Sequence, residues 1–395
     1  YIAKIAIVLF TFWLAIPTIA QTPKKEVRAF WLSTVWRLTW PKTTVISNTG
    51  NAQEIQEQKD ELIMLLDSVK AANANTVYFQ VRGRCDAMYK SSYEPWSSDL
   101  VATRGMDPGY DPLLFAVEEA HKRGIEIHAW FNPYRYESVL HQWDGTPQNY
   151  RESHPEWLLD YSDGSILNPA MPEVVQNYDI DGVVFDDYFY MSGTTDDMDD
   201  ELYQQSNPDN LSRADWRRQN VNKLIAQVYR MIQSEKPYVR FGISPAGVWC
   251  TDATIAERYG VTPTPVGSDW AYDDIFCDPM AWIQEHSIDY ISPQIYWTIG
   301  SSSDYTLIAE WWSQIVRQFG CHFYSSHSAS DLSSAKMPSK YGKTTTGTLS
   351  FDLNGEKVSS KALSPIERKT AEENEYIVDG ATASFKGSEL VNQIK

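Results

Sequence analysis

Basic side chains are in short supply in this chain. Thirty-four Lys and Arg stand against 52 Asp and Glu, a formal net charge of −18 over 395 residues. That balance argues against nucleic acid as a partner, because phosphates are held by a basic face. Cysteine is scarcer still. Cys85, Cys250, Cys277 and Cys321 are too few to staple a chain of this length, and no CxxC spacing suggests zinc. They allow three full pairings, of which Cys250 with Cys277 is favoured because each falls in or near a loop after a fifth strand. The seven histidines are scattered. No internal repeat and no low-complexity tract is present, which sets aside a repeat architecture.

Aromatic residues are plentiful instead, with 15 Trp and 23 Tyr. They suit either a large core with half-buried rings or a cleft that stacks flat ligands such as sugars. Hydrophobic residues make up 43% and charged residues 22%, an ordinary globular balance. The length admits one large α/β domain or two smaller ones. The stretch "YIAKIAIVLFTFWLAIPTIAQTPKKEV" places Lys4 before an apolar run that ends in small residues ahead of Gln21. This is the layout of a secretory signal peptide over residues 1–21, too short and wrongly flanked for a membrane anchor. No Cys follows it to take a lipid. The expected protein is exported, periplasmic or extracellular, and does not span a membrane.

Short β-rich segments recur beyond it: "VRAFWLSTVW" from Val27, "NTVYFQVRG" from Asn75, "IEIHAWFNPYR" from Ile125 and "DGVVFDDYFY" from Asp181. "YVRFGISPAGVW", "IDYISPQIYW", "GCHFYSSH" and, less clearly, "GTLSFDL" from Gly347 follow. Amphipathic stretches such as "EIQEQKDELIMLLDSVKAANA" lie between several of them, with apolar residues at helical spacing. Strands alternating with helices imply a parallel sheet, and about eight units predict a (β/α)8 TIM-type barrel. A doubly wound open sheet is the alternative, but "LSTVWRLTWP" lacks the Gly-rich turn that such a sheet places after its first strand. The barrel is expected over residues 22–330. Only the scrap "PEVVQNY" is available as the helix before the fourth strand. Residues 331–395 are poorly marked and read as the last barrel unit or a tail.

In such a barrel the active site lies at the C-terminal ends of the strands, and strand alternation becomes a test of which side chains reach it. The third strand groups Glu126, His128, Trp130 and Asn132; the second groups Tyr78, Gln80 and Arg82; the sixth groups Ser292, Gln294 and Tyr296. The opposite parity is apolar packing for the helices. In "DGVVFDDYFY" the same rule turns Asp186 inward and leaves Asp187 at the rim, to cap, orient a neighbour or reach back over the site, with Tyr188 above as a sugar contact. Glycoside hydrolysis needs two carboxyls. Asp86 is the first choice for the second because it lies just beyond Arg82; Glu94, Glu137 and Asp252 are the others. Arg82 and Arg135 can hold carboxylates ionised or bind an acidic substituent. Gln80, His128, Asn132 and Gln294 are candidate contacts to sugar hydroxyls, and Trp36, Trp130, Tyr134, Trp249, Tyr296 and Trp297 are candidate stacking rings. Each has a plain structural alternative: an end-of-strand Asp as a cap, His128 as a hydrogen-bonded core histidine, the arginines as salt bridges. No cofactor and no metal is called for.

At "EVRAFWLSTV", "FQVRGRCDAMYKSSYEPWS", "YDPLLFAVEEAHKRGIEIHAWFNPYR", "HPEWL", "YDIDGVVFDDYFY", "FGISPAGVW" and "DYISPQIYW" the chain resembles the glycosyl-hydrolase-like 10 family of exported bacterial proteins. The likeness runs from about residue 27 to about residue 327. It implies a TIM-type barrel and hydrolysis of glycan chains; a characterised relative cleaves peptidoglycan strands stripped of their peptides. It also implies that Asp186, Asp187 and Asp86 lie in the site region. The helix before "YDIDG" is shorter than the family pattern, and the segment after His327 departs from it. Two other functions are kept open by the residues: a metal-dependent carbohydrate deacetylase and a non-catalytic glycan-binding barrel.

Overall fold

The computed structural model describes residues 26–49, 51–135 and 172–328, together with the backbone of four short strands between 350 and 384. The signal-peptide stretch, Glu137 and most of the segment leading into the fourth strand lie outside the described residues. Seven strands run parallel and in chain order: β1 Ala29–Leu32, β2 Thr76–Arg82, β3 Glu126–Phe131, β4 Gly182–Phe185, β5 Arg240–Ile243, β6 Tyr290–Ile291 and β7 His322–Phe323.

Helices fill the crossovers. In α1, Ala52–Ala71, the buried Gln58, Leu62, Leu66 and Val69 recur at helical spacing and face the sheet. In α2, Pro112–Lys122, Asp111 caps the start by accepting the Leu114 N–H at 3.0 Å, an arrangement worth about 1 kcal/mol. The crossover into β4 ends in α3, Pro172–Asn177, only six residues long. The longest helix, α4, covers Arg213–Glu235. The last, α5, runs Tyr305–Phe319 from an Asp304 cap to Gly320, whose φ of +75° closes the helix as glycine readily does.

The sheet is strongly curled. Tyr78 on β2 and Tyr290 on β6 stack with centroids 6.3 Å apart, although four strand spacings of a flat sheet would separate them by about 19 Å. Two faces result. Val77, Phe79, Ile127, Ala129, Phe131, Val183, Phe185, Phe241 and Ile291 join the large core under the helices, while Tyr78, Trp130, Val184 and Tyr290 form a separate inner cluster against Trp31 and Tyr324. The alternation read from the sequence assigns these faces correctly.

Near the N-terminal ends of the strands the interior is plugged. His128 pairs with the Tyr290 hydroxyl at 2.7 Å, and Arg240 reaches both His128 and Glu126. Two glycines make room for the rings: a Cβ on Gly182 would lie 2.4 Å from the His128 ring, and one on Gly242 would lie 2.2 Å from Tyr290.

Two expectations are corrected. "GTLSFDL" does not supply an eighth parallel strand. Its Ser350–Leu353 portion pairs antiparallel with Glu356–Ser359 and Glu375–Val378, and Ala381–Ser384 completes a separate four-stranded sheet. Among the described residues the parallel sheet is therefore a seven-stranded arc, and β7 does not pair with β1. The cysteines form no disulfide; all four are free thiols. Cys250 and Cys277 are fully buried in the main core, where a thiol packs as a small hydrophobe.

Candidate active site

The opening of the arc is built by the residues that follow β1, β3, β4 and β6. The Asp186 N–H still bonds the Phe131 carbonyl on β3, at 3.3 Å, so Asp186 keeps the strand's register and faces inward. The chain then turns at once. The Asp187 N–H donates to Asp186 Oδ1 at 2.9 Å, and the Phe189 N–H donates to the Asp187 carbonyl at 2.9 Å. Strand alternation ends at this turn, and the two carboxyls influence each other's ionisation.

Gln294, after β6, donates Nε2 to Asp186 Oδ1 at 2.8 Å and to the Ser244 carbonyl at 3.0 Å, and it also reaches Asp187. Burial, then the neighbouring Asp187 charge, holds Asp186 protonated well above the ordinary carboxylate range. Burial raises Asp187 as well, while the hydrogen bonds it accepts from Asp186 and Gln294 work the other way. Two neighbouring half-buried carboxyls resist double ionisation, and Asp186 is the one raised further.

A cationic bracket stands beside this pair. The Arg135 guanidinium lies 5.2 Å from the Trp36 ring centre and 5.0 Å from that of Tyr188, within cation–π range. Tyr188 senses the charges of Asp186, Asp187 and Arg135. Its ring is 41% exposed and that of Trp36 54%. Trp36 and Arg37 hold φ values of +52° and +54°, a strained region for bulky side chains. Gln80 clamps this turn: its Oε1 accepts the N–H groups of Thr34 and Val35, each at 2.9 Å. On another side of the opening Tyr296 and Trp297 are exposed. Trp297 packs on Gly247, where a Cβ would come within 2.8 Å of the ring.

The residues singled out from the sequence thus separate into two groups. Asp186, Asp187, Tyr188, Arg135, Trp36, Gln294, Tyr296 and Trp297 reach the opening. Gln80, Arg82, His128, Trp130, Asn132, Tyr134 and Asp86 are buried, as is Trp249. Arg82 donates to Glu94 at 2.7 Å and to the Asn132 and Pro133 carbonyls, and contacts Cys85. Asn132 bridges Trp130 and the Gly83 carbonyl. Tyr134 packs edge-on to Phe189 and Tyr190, and Trp249 stacks on Trp311. His128 belongs to the plug below, where burial and then Arg240 hold its pKa well below the usual value.

Asp86, expected as the second carboxyl, is enclosed. It accepts from Ser97 Oγ at 2.7 Å and the Arg84 N–H at 3.1 Å. Burial opposes its ionisation, but Arg104, Arg84 and these bonds outweigh it and keep the group below the ordinary value. Glu94 is raised by burial despite Arg82. Asp252 caps the helix Ala253–Arg258. Sequence reading left Asp187 at the rim with several roles open, reaching back over the site among them. The signal available was the immediate "DDY" turn after a short apolar strand.

Among the described residues no three His, Cys, Asp or Glu side chains converge as a metal site would require, and no helix is long and apolar enough to cross a membrane.

A parallel α/β arc with an acid pair and aromatic rings at its carboxyl edge is an architecture suited to carbohydrate chemistry. The chain belongs to the glycosyl hydrolase-like 10 family, whose pattern matches residues 26–342. It is 39% identical over 348 residues to glycosyl hydrolase YngK of Bacillus subtilis, an alignment covering 82% of this chain and 65% of YngK. It is 36% identical over 334 residues to glycosyl hydrolase DigH of Escherichia coli K12, covering 78% of this chain and 74% of DigH. Among solved structures, the α-L-fucosidase AlfC of Lactobacillus casei aligns over 67% of this chain and 71% of its own, with 10% identity and a TM-score of 0.30. The α-galactosidase AgaA of Geobacillus stearothermophilus aligns over 79% and 40%, with 10% identity and a TM-score of 0.36.

Proposed function

We propose that this chain is an exported glycoside hydrolase acting on a bacterial glycan, with peptide-free peptidoglycan strands as the first substrate to test. Asp186 is the proton donor and Asp187 its ionised partner. The observation that carries this reading is the consecutive carboxyl pair at the end of β4, with Asp186 hydrogen-bonded by Gln294 and raised well above the ordinary carboxylate range by burial and then by Asp187. General acid catalysis of glycosidic cleavage needs a carboxylic acid kept protonated at neutral pH, and burial beside a second carboxylate supplies it. Trp36, Tyr188, Tyr296 and Trp297 offer faces for sugar rings, and family membership supports the reaction class. Arg135 brings a cation to the opening of a strongly acidic protein. In peptidoglycan stripped of peptides, the carboxylates that carried those peptides are free to meet it.

The test is mass spectrometry of products from purified glycan strands, with and without attached peptides. The wild type should shorten the peptide-free strands, and Asp186→Asn should bind them without releasing product. Turnover by Asp186→Asn at near wild-type rate would refute the assignment, and acetate loss without chain shortening would point to a deacetylase.

A further inference from the structure

The acid pair follows β4, the middle strand of the seven, so the carboxyl edge continues on both sides of it. Towards β1 that edge carries Trp36 and Arg135. Towards β7 it carries Tyr296 and Trp297 after β6 and, in the segment after β5, Trp270 on the short helix Trp270–Asp273. Trp270 is 41% exposed, yet its footing is fixed. Ala271 and Tyr272 beside it are buried, and Tyr272 packs edge-on to Trp249 with centroids 6.1 Å apart. Asp269 accepts the Thr251 hydroxyl at 2.8 Å. Phe276, further along the same segment, meets Tyr190 of the β4 loop edge-on at 5.4 Å. The indole N–H of Trp270 donates to Ser192 Oγ at 3.4 Å. Its one polar atom is thus satisfied, and what it turns to solvent is the apolar remainder of the ring, a surface for the C–H face of a pyranose.

Ser192 follows Asp187 by five positions, a span of at most about 18 Å even in a fully extended chain. The turn from the Phe189 N–H to the Asp187 carbonyl shortens it. Trp270 therefore stands within reach of a glycan strand lying across the acid pair. Tyr188 and Trp297 adjoin the pair through Asp187 and Gln294, whereas Trp270 meets the β4 loop four positions past Tyr188. The surroundings of Trp270 also carry a sign. Asp269, Asp273 and Asp274 lie within four positions of it, the last two exposed. Arg218, which donates to the Tyr272 carbonyl, is already paired with Asp215 at 2.8 Å. A sugar bearing a carboxylate is repelled by this neighbourhood, and an uncharged one is not.

Resting on the glycosidase reading above, we propose that Trp270 forms an additional subsite that stacks an uncharged sugar of the strand, beyond the two sugars joined by the cleaved linkage. A bound strand then runs along the carboxyl edge from the Arg135 side to the Trp270 side, with the charged sugar read at one end and an uncharged one at the other. Such a subsite adds affinity only for strands long enough to reach it, so the enzyme favours long strands over fragments.

The experiment measures turnover and, by calorimetry, binding of peptide-free strands fractionated by length, with wild type, Trp270→Ala and Trp270→Tyr. Trp270→Ala should raise KM and Kd on long strands by about three- to tenfold, the cost of one lost ring stack, and the penalty should shrink as the strands shorten. Trp270→Tyr should recover most of it. Amidating the strand carboxylates should leave the penalty in place, because the sugar at Trp270 carries no charge. No penalty, an equal penalty at every length, or one that disappears on amidated strands would overturn the subsite and leave the glycosidase reading standing. Binding of strands by the wild type without shortening would overturn the glycosidase reading, while a length-dependent loss of binding in Trp270→Ala would still support the subsite.

Discussion

Gln294 Nε2 stands 2.8 Å from Asp186 Oδ1 and ties the end of β6 to the end of β4 across one intervening strand. The amide and the Asp187 N–H both donate to Oδ1 of Asp186, which leaves Oδ2 to carry a proton. Its donation favours the ionised form of Asp186. Gln294→Leu should therefore raise the Asp186 pKa further and move the alkaline limb of kcat/KM to higher pH, while lowering kcat through misplacement of the pair. A pH–rate profile that falls in amplitude without moving would contradict this.

Asp186→Asn should lose about 10²–10⁴-fold in kcat yet gain stability. Because burial raises the folded pKa of Asp186 above the unfolded value, the native state binds this proton more tightly. The stability tied to it is complete below the ordinary carboxylate pKa of about 3.9 and is lost as pH rises through the folded value. An asparagine avoids that loss. The variant's Tm should exceed the wild type's at pH 7, with the gap closing towards pH 3. An equal Tm difference at both pH values would count against the assignment.

Arg135→Gln removes the cation held between Trp36 and Tyr188. On glycan strands with free carboxylates KM should rise by about tenfold, equivalent to roughly 1.4 kcal/mol of a charge-assisted contact. On strands whose carboxylates have been amidated, the variant and wild type should match. A parallel loss on both substrates would mean that Arg135 supports the loop and reads no charge.

Gly182→Ala places a methyl 2.4 Å from the His128 ring, in the plug below the site. Denaturant unfolding should show a loss of about 1–3 kcal/mol or more, as overpacking of a filled core costs. The kcat of the folded fraction should stay close to wild type, because Gly182 lies at the N-terminal start of β4 and the acid pair follows its other end.

Alternation along β2, β3, β4 and β6 was enough to separate inward from outward side chains, because a strand's period of two survives any packing that keeps the strand regular. It placed Asp186 in the interior and put the apolar parity of Val77, Ile127 and Phe185 under the helices. It left Asp187 at the rim, with reaching back over the site as one of several roles. The strand stops at Phe185, and the following turn is closed by hydrogen bonds from the N–H groups of Asp187 and Phe189. The enclosure of Asp86 was not legible either: its environment is set by Arg104, Ser97 and Arg84, and chain proximity to Arg82 says nothing about the direction in which those side chains surround it. "GTLSFDL" reads correctly as a strand over Ser350–Leu353, but its neighbours were beyond local pattern, since register and partner depend on residues distant in the chain.

What the sequence determined by itself is the periodic part: parallel strands with crossover helices, two strand faces, an acid at the carboxyl end of the fourth strand and a family identity carried by long motifs. Tertiary structure alone decided which acids meet. Burial and contact, neither of which is local, raised the pKa of Asp186, set Gln294 on it and enclosed Asp86 among arginines. The strand period is local and can be read along the chain, whereas the meeting of side chains from β4 and β6 depends on how the sheet curls.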